Sequence, residues 1–141
     1  MNRPRYMLDT DTSSYVMKGH PSLPRIRLAQ FDRDDVAISV IVQAELHYGL
    51  KPLPDNHPLH FKARQFLANT TVLAWDGNAA DVFARIRYEV KTRGTPLPEM
   101  DLMIAAHAIS LRAVLVTNNT RHFVRLAPSL AIENWVSDPP K

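Results

Sequence analysis

Residues 6–14 read YMLDTDTSS, an apolar run suited to a short buried strand, then an acid and a hydroxyl-rich turn that can cap a helix. Similar apolar runs recur at 36–40, 71–74 and 114–117, and residues 131–135 suggest a last edge strand. Helical patterns separate these runs, so the sequence predicts a three-layer α/β domain with a central parallel sheet flanked by helices. Ligands of such domains bind beyond the carboxyl ends of the strands, where Asp9 and Asn119 would lie.

The helices are predicted from apolar spacing and from residues that break helices. They are expected at 24–31, 41–48, 59–67, 79–93 and 101–111, and the last is apolar nearly all round and therefore central. Gly49 is expected to close the 41–48 helix, and Gly94 to follow the 79–93 helix. Asp76 or Asn78 is predicted to cap the latter.

Length and composition bound the class of protein. The 141 residues suit one domain, predicted over 1–141 with a short basic N-terminal extension at 1–5 and a C-terminal tail at 136–141. No cysteine is present, which excludes a disulfide framework, a thiolate zinc site and a cysteine nucleophile. No apolar run approaches the roughly 20 residues that span a membrane, so we expect a cytoplasmic protein. The net charge of +3 permits a nucleic-acid partner and equally describes a mildly basic protein without one.

Asp9, Glu45 and Asp101 stand far apart in the chain, each beside an apolar run. A buried ionised carboxylate is costly without a positive partner, and converging carboxylates compensate one another badly. Together they predict a divalent-cation site, and oxygen ligands favour Mg²⁺ or Mn²⁺ over zinc. Taken singly, Asp9 is equally a helix cap, Glu45 an ordinary helix glutamate, and Asp101 a first-turn acid favoured by the helix dipole.

Two histidines near these acids are interpreted without a metal. On a helix His107 lies about 120° from Asp101, so we predict a packed, hydrogen-bonded side chain. His47 lies about 200° from Glu45, and a surface or partner contact is the better interpretation.

Five segments resemble PIN-domain ribonucleases and, more narrowly, the VapC toxins of bacterial toxin–antitoxin pairs. The segments, in the family's order, are residues 7–11, 43–49, 101–108, 115–121 and 132–135. The resemblance implies Asp9, Glu45 and Asp101 as the acidic cluster, with Asn119, or less well Asn118, as a fourth polar side chain. The sequence departs from the family at two positions: Asp11 stands where relatives commonly have Asn, and His122 where many have Glu.

The resemblance also implies the chemistry. The chain would be a Mg²⁺- or Mn²⁺-dependent endoribonuclease that hydrolyses RNA, transfer RNA among the candidates, to 5′-phosphate and 3′-hydroxyl ends. Asp9 and Asp101 would bind the cation directly, since Mg²⁺ takes only one or two protein carboxylates. Glu45 would bind a second ion or orient the attacking water. As a toxin it would form a homodimer and be silenced by a small VapB-type antitoxin.

Two alternatives come from different classes of protein. Asp9-Thr10-Asp11-Thr12 after an apolar strand is similar to the first motif of haloacid-dehalogenase-like phosphatases, where Asp9 would be the nucleophile. That class also needs a downstream lysine and a later acidic pair, which fit this sequence poorly. The second alternative is a catalytically inert PIN-like protein-binding module. Stabilisation by a divalent cation separates it from the nuclease, because a cation that binds only the folded state must raise its stability.

Overall fold

A five-stranded, wholly parallel sheet forms the centre of the protein, in the order β3-β2-β1-β4-β5. The structure, a computed structural model, describes residues 3–137. The strands are β1 Tyr6–Leu8, β2 Val36–Ser39, β3 Thr71–Leu73, β4 Val114–Val116 and β5 Ile132–Glu133. This architecture confirms the predicted α/β fold class. Residues 1, 2 and 138–141, parts of the predicted extension and tail, lie outside the described residues, and the division of the chain stays a prediction.

Seven α-helices are found within residues 3–137. They are α1 Thr10–Lys18, α2 Leu23–Leu28, α3 Val40–Leu50, α4 Pro58–Ala68, α5 Gly77–Thr92, α6 Glu99–Ser110 and α7 Thr120–Phe123, with 3₁₀ turns at Arg33–Asp35 and Val124–Leu126. In this part of the chain no helix is long and apolar enough to cross a membrane. Six of the twelve residues of α6 are buried, in agreement with the central position that its apolar sequence predicts.

The strand order places a crevice beside β1. Tyr6 pairs with Val36 on one side and with Val114 on the other, so β1 lies between β2 and β4. The chain builds the sheet outward from β1 through β2 to β3, and then returns to add β4 on the opposite side. Such a reversal opens a crevice at the carboxyl ends of the strands, which positions the site described below.

The helix boundaries correct one prediction and confirm another. Gly49 does not close its helix, because α3 continues to Leu50 and Lys51 keeps a right-handed conformation. A glycine ends a helix where the chain needs a left-handed turn, and Gly49 has no positive φ, unlike Gly94 (φ 70°). Asp76 caps α5 as predicted, since its Oδ1 accepts a hydrogen bond of 3.0 Å from the Ala79 amide.

An aromatic and charged cluster fastens the β5 edge to α2. The ring of Phe31 stacks on Trp135 at 5.6 Å between centroids, and both rings contact Tyr6. The Arg27 guanidinium lies 5.7 Å from the centre of the Trp135 ring and forms a 3.1 Å ion pair with Glu133. Only 4% of the Arg27 side chain is exposed, so this cation depends on its partners for the solvation it has lost.

His107 is a buried histidine of α6, hydrogen-bonded as predicted. Its Nδ1 lies 2.8 Å from the hydroxyl oxygen of Ser39, which also caps α3 by accepting from the Ile41 amide. Burial lowers the pKa of His107 below its ordinary 6.5, although the Asp76 carboxylate acts in the opposite direction. The folded state therefore resists a proton that the unfolded chain accepts.

We expect the free energy of unfolding contributed by His107 to fall as the pH drops below about 6.5, since the unfolded state then binds more protons. His107→Asn keeps an amide near the Nδ1 position and removes the titrating ring. The stability difference between wild type and this variant should narrow between pH 7.5 and pH 5.5 in urea unfolding. A constant difference would show that His107 accepts its proton equally well in both states.

Candidate active site

A cleft of about 140 Å³ opens at the carboxyl ends of β1 and β4 and contains all four predicted site residues. Its lining consists of Asp9, Thr10, Asp11, Glu45, Asp101, Asn119 and Phe123. A larger cavity of about 320 Å³ lies between α1, α2 and α4, but its lining is mainly apolar and, in the part of the chain that the structure describes, includes no carboxylate. The smaller cleft is therefore the place for charged chemistry.

Asp9 caps a helix and also lines the cleft. It follows β1 directly, and its Oδ1 accepts a 2.8 Å hydrogen bond from the Thr12 amide, which makes it the N-cap of α1. Burial raises the pKa of Asp9 from 3.8 to about 6, although hydrogen bonds from Thr117 and Thr12 oppose this effect. Asp9 is thus a helix cap, as one interpretation of the sequence predicted, and the same side chain also lines the cleft.

Glu45 and Asp101 each have a hydrogen-bonding partner at the cleft. The Thr10 hydroxyl donates a short hydrogen bond to Glu45 Oε1. Asp101 lies in the first turn of α6, and its Oδ2 is 3.0 Å from Nε2 of His122 on α7. Sequence reasoning assigned neither contact, although Thr10 and His122 both lie in or beside the segments that carried the family resemblance.

The structure distinguishes between the two asparagines that follow β4. Asn119 lines the cleft, and its backbone amide donates to the Thr117 hydroxyl at 2.9 Å. Asn118 instead accepts a 3.0 Å hydrogen bond from the side chain of Asn134, near β5. Asn119 is therefore the better candidate for a polar role in the cleft.

The donor set of the cleft fits a hydrated Mg²⁺ or Mn²⁺ ion. Carboxylate and amide oxygens are hard ligands, and Mg²⁺ keeps several of its waters when it binds protein. Within residues 3–137, no three His, Cys, Asp or Glu side chains come close enough to enclose a metal unaided. A cation held by few carboxylates and several waters agrees with both observations. The raised pKa of Asp9 shows a carboxylate that a cation would stabilise in its ionised form.

Comparison with known proteins identifies the family. The family described as PIN domain matches residues 6–127. Ribonuclease VapC2 of Rickettsia felis is 34% identical over 131 residues, which cover 92% of this chain and 97% of that protein. The chain belongs to the VapC family of PIN-domain ribonucleases. A second VapC relative, the tRNA(fMet)-specific endonuclease VapC of Salmonella typhimurium, is 38% identical and covers 93% of this chain and 98% of its own.

Solved structures of VapC relatives share the fold. VapBC from Salmonella typhimurium, bound to DNA, matches with a TM-score of 0.86 at 36% identity, covering 94% of this chain and 98% of that one. VapBC2 from Rickettsia felis, bound to a promoter DNA fragment, matches with a TM-score of 0.84 at 34% identity, covering 92% and 98%. Membership of the VapC family confirms the resemblance found in the sequence. It leaves the phosphatase alternative without support, since no lysine among residues 3–137 lines the cleft.

Proposed function

We propose that this VapC-family ribonuclease hydrolyses RNA phosphodiester bonds in the cleft formed by Asp9, Glu45, Asp101 and Asn119, with Mg²⁺ or Mn²⁺ as cofactor. The observation that carries the proposal is that four carboxylates line one cleft: the three predicted acids, from the end of β1, from α3 and from α6, and Asp11 of α1. Since nothing in the fold requires these acids to converge, their convergence supports a common ligand of positive charge.

The surroundings of each side chain suggest its role in the reaction. Asp9 and Asp101 would hold the cation. Asp9 would use Oδ2, because Oδ1 accepts from the Thr12 amide, and Asp101 would use Oδ1, because Oδ2 contacts His122. Glu45 keeps Oε2 for the attacking water or a second ion, because Oε1 already accepts from Thr10. The Asn119 amide carries no charge and would orient water or a phosphate oxygen. When bound, the cation screens the phosphate and lowers the pKa of coordinated water. Attack by water predicts 5′-phosphate and 3′-hydroxyl products.

The relatives support specific partners. One relative is named a tRNA(fMet)-specific endonuclease, which makes transfer RNA the first substrate to test. Solved relatives are VapBC complexes, which supports a small VapB-type antitoxin as the inhibitor of this chain. A positively charged antitoxin side chain placed among the carboxylates would exclude the cation. We further propose that the chain is a homodimer that acts in the cytoplasm.

The test is incubation of purified protein with total cellular RNA and Mg²⁺, followed by mapping of the new ends. We expect a few discrete cuts bearing 5′-phosphates, absent with EDTA and absent from the Asp101→Asn variant. Intact RNA after treatment with folded, antitoxin-free protein would overturn the proposal in favour of an inert binding module. Cuts that persist in Asp101→Asn would overturn the assignment of the cleft.

His122 is expected to position Asp101 for the cation. His122→Phe keeps a ring and removes the hydrogen bond to Asp101, while His122→Gln retains a donor. Mutation of a residue that hydrogen-bonds a metal ligand typically lowers metal affinity 10- to 100-fold. The phenylalanine variant should therefore need at least about 10 times the Mn²⁺ concentration that wild type needs for the same thermal shift. The glutamine variant should need less than the phenylalanine variant. Identical Mn²⁺ titrations for wild type and both variants would contradict this role.

A further inference from the structure

Three arginines form a basic surface beside the cleft. α7 and the 3₁₀ turn Val124–Leu126 follow each other without a break, so Arg121 and Arg125 lie four residues apart on neighbouring helical turns. Arg121, Arg125 and Arg93 at the end of α5 are all exposed. We call Arg93, Arg121 and Arg125 the arginine ridge.

Hydrogen bonds to backbone carbonyls hold two members of the arginine ridge. Arg93 Nη2 donates to the carbonyl of Arg125 at 3.1 Å, and Arg125 Nη1 donates to the carbonyl of Pro96 at 3.2 Å. These contacts join the C-terminus of α5, the loop before α6 and the 3₁₀ turn into one surface. They orient the guanidinium groups and leave their positive charge uncompensated.

Neighbouring arginines of α5 provide a contrast. Arg85 and Arg87 form ion pairs with Glu89 and Glu99. Across residues 3–137, no ion pair with a carboxylate is found for Arg93, Arg121 or Arg125. The arginine ridge thus presents three charges that are available to an anionic partner.

The arginine ridge begins at the rim of the cleft. α7 starts directly after Asn119, His122 contacts Asp101, and Phe123 lines the cleft. The cleft itself is acidic, so its carboxylates repel RNA phosphates until a cation is bound. Affinity for RNA must therefore come from basic side chains outside the cleft. Arginine suits this task because its planar guanidinium binds phosphate oxygens in pairs.

We propose that the arginine ridge binds phosphates of the RNA strand where it leaves the cleft. The proposal rests on the proposed ribonuclease function and adds the path of the substrate. It commits to nucleic acid because the three arginines are exposed, have no carboxylate partner within residues 3–137, and adjoin a cleft proposed to hold an RNA phosphodiester. Each phosphate contact also predicts a measurable dependence on salt.

The test compares RNA binding by wild type, by the triple variant Arg93→Gln, Arg121→Gln, Arg125→Gln, and by Arg121→Gln alone. The control variant carries Lys18→Gln, Lys62→Gln and Arg64→Gln, an equal loss of charge on exposed residues of α1 and α4. Fluorescence anisotropy in EDTA measures Kd without cleavage at several salt concentrations. Cleavage in Mg²⁺ gives kcat and KM separately. Arg121→Gln guards against misfolding, because the Arg121 side chain makes no hydrogen bond within residues 3–137.

We expect the triple variant to bind RNA at least about 10-fold more weakly than the control variant. Its slope of log Kd against log salt should be smaller by about 2, since each lost single-strand phosphate contact removes about 0.7. KM should rise with kcat nearly unchanged, and Arg121→Gln should show about a third of the change in slope. If the triple and control variants have equal Kd values and equal salt slopes, the proposed role of the arginine ridge is overturned even if wild type cleaves RNA. Loss of antitoxin binding with unchanged RNA binding would reassign it to a protein partner and equally overturn the proposal. RNA that is bound and never cleaved would overturn the nuclease alone.

Discussion

Asp9→Asn is expected to abolish RNA cleavage and at the same time to stabilise the metal-free protein at neutral pH. Cleavage is lost because an amide cannot supply the negative charge that holds a cation. Stability rises because burial raises the pKa of Asp9 from 3.8 to about 6, so ionising this carboxyl in the folded state is unfavourable. The difference between these two pKa values corresponds to about 3 kcal/mol at most. Asn caps helices about as well as Asp, so α1 should keep its start.

The stability that Asp9 contributes to the folded state depends on pH. Between pH 3.8 and about 6 the folded state holds the Asp9 proton more tightly than the unfolded chain. The stability that Asp9 contributes is therefore complete below pH 3.8 and is lost as the pH rises through 6. Urea unfolding in EDTA should show this loss in wild type and not in Asp9→Asn. His107 acts in the opposite direction below pH 6.5, so the comparison is made between the two proteins at each pH.

Two further measurements complete the Asp9 experiment. Asp9→Ala serves as a control because it removes the cap along with the charge, and it should be less stable than Asp9→Asn by about 1 kcal/mol. Mg²⁺ should raise the melting temperature of wild type and leave that of Asp9→Asn nearly unchanged. An Asp9→Asn protein that still cuts RNA, or that melts below wild type in EDTA at pH 7.5, would contradict the argument.

Arg27→Met is expected to lower the free energy of unfolding by about 3 to 5 kcal/mol, because it leaves Glu133 without its cation. Both partners of this ion pair are largely withdrawn from solvent, with 4% of the Arg27 side chain and 16% of the Glu133 side chain exposed. Glu133 also accepts a hydrogen bond from the Trp135 indole at 3.1 Å, so its disturbance reaches the aromatic cluster. A loss of this size is a large fraction of the stability of an ordinary domain, about 5 to 15 kcal/mol.

A double variant separates the ion pair from simple packing. Glu133→Gln removes the charge and keeps an acceptor for Trp135, so adding it to Arg27→Met should recover part of the lost stability. Urea denaturation of wild type, both single variants and the double variant gives the coupling between the two sites. Additive effects would mean that Arg27 contributes mainly through contacts other than this ion pair.

The fold was predictable where the sequence alone determines local structure. Short apolar runs that alternate with helical segments led to the parallel sheet. The cap of α5 was narrowed to Asp76 or Asn78 from their place before an amphipathic helix, and the structure shows Asp76. The end of α3 was not predictable, because a glycine either ends or continues a helix according to its backbone conformation, and Gly49 continues α3 to Leu50. α7, four residues long, has too few turns to leave a periodic pattern.

The acids of the site were predictable because each lies in a characteristic segment. Their partners were not. The contact between His122 and Asp101 spans 21 residues, and that between Thr10 and Glu45 spans 35. Such contacts depend on how β1, α3, α6 and α7 are placed around the sheet. No local spacing reports that placement.

Because Asp9 both caps α1 and faces the cleft, substitutions that remove the toxicity of such a chain differ in whether they also destabilise it. Most replacements at this position remove activity and helix cap together, and the product then risks degradation. Asparagine alone removes the charge and keeps both the shape and the cap. Cells that express this chain without antitoxin can be selected for survival. Among survivors that still make full-length protein with a substitution at position 9, that substitution should be asparagine. Such a silent copy would still capture antitoxin, and in a cell with an active copy it would act as a decoy that releases the toxin.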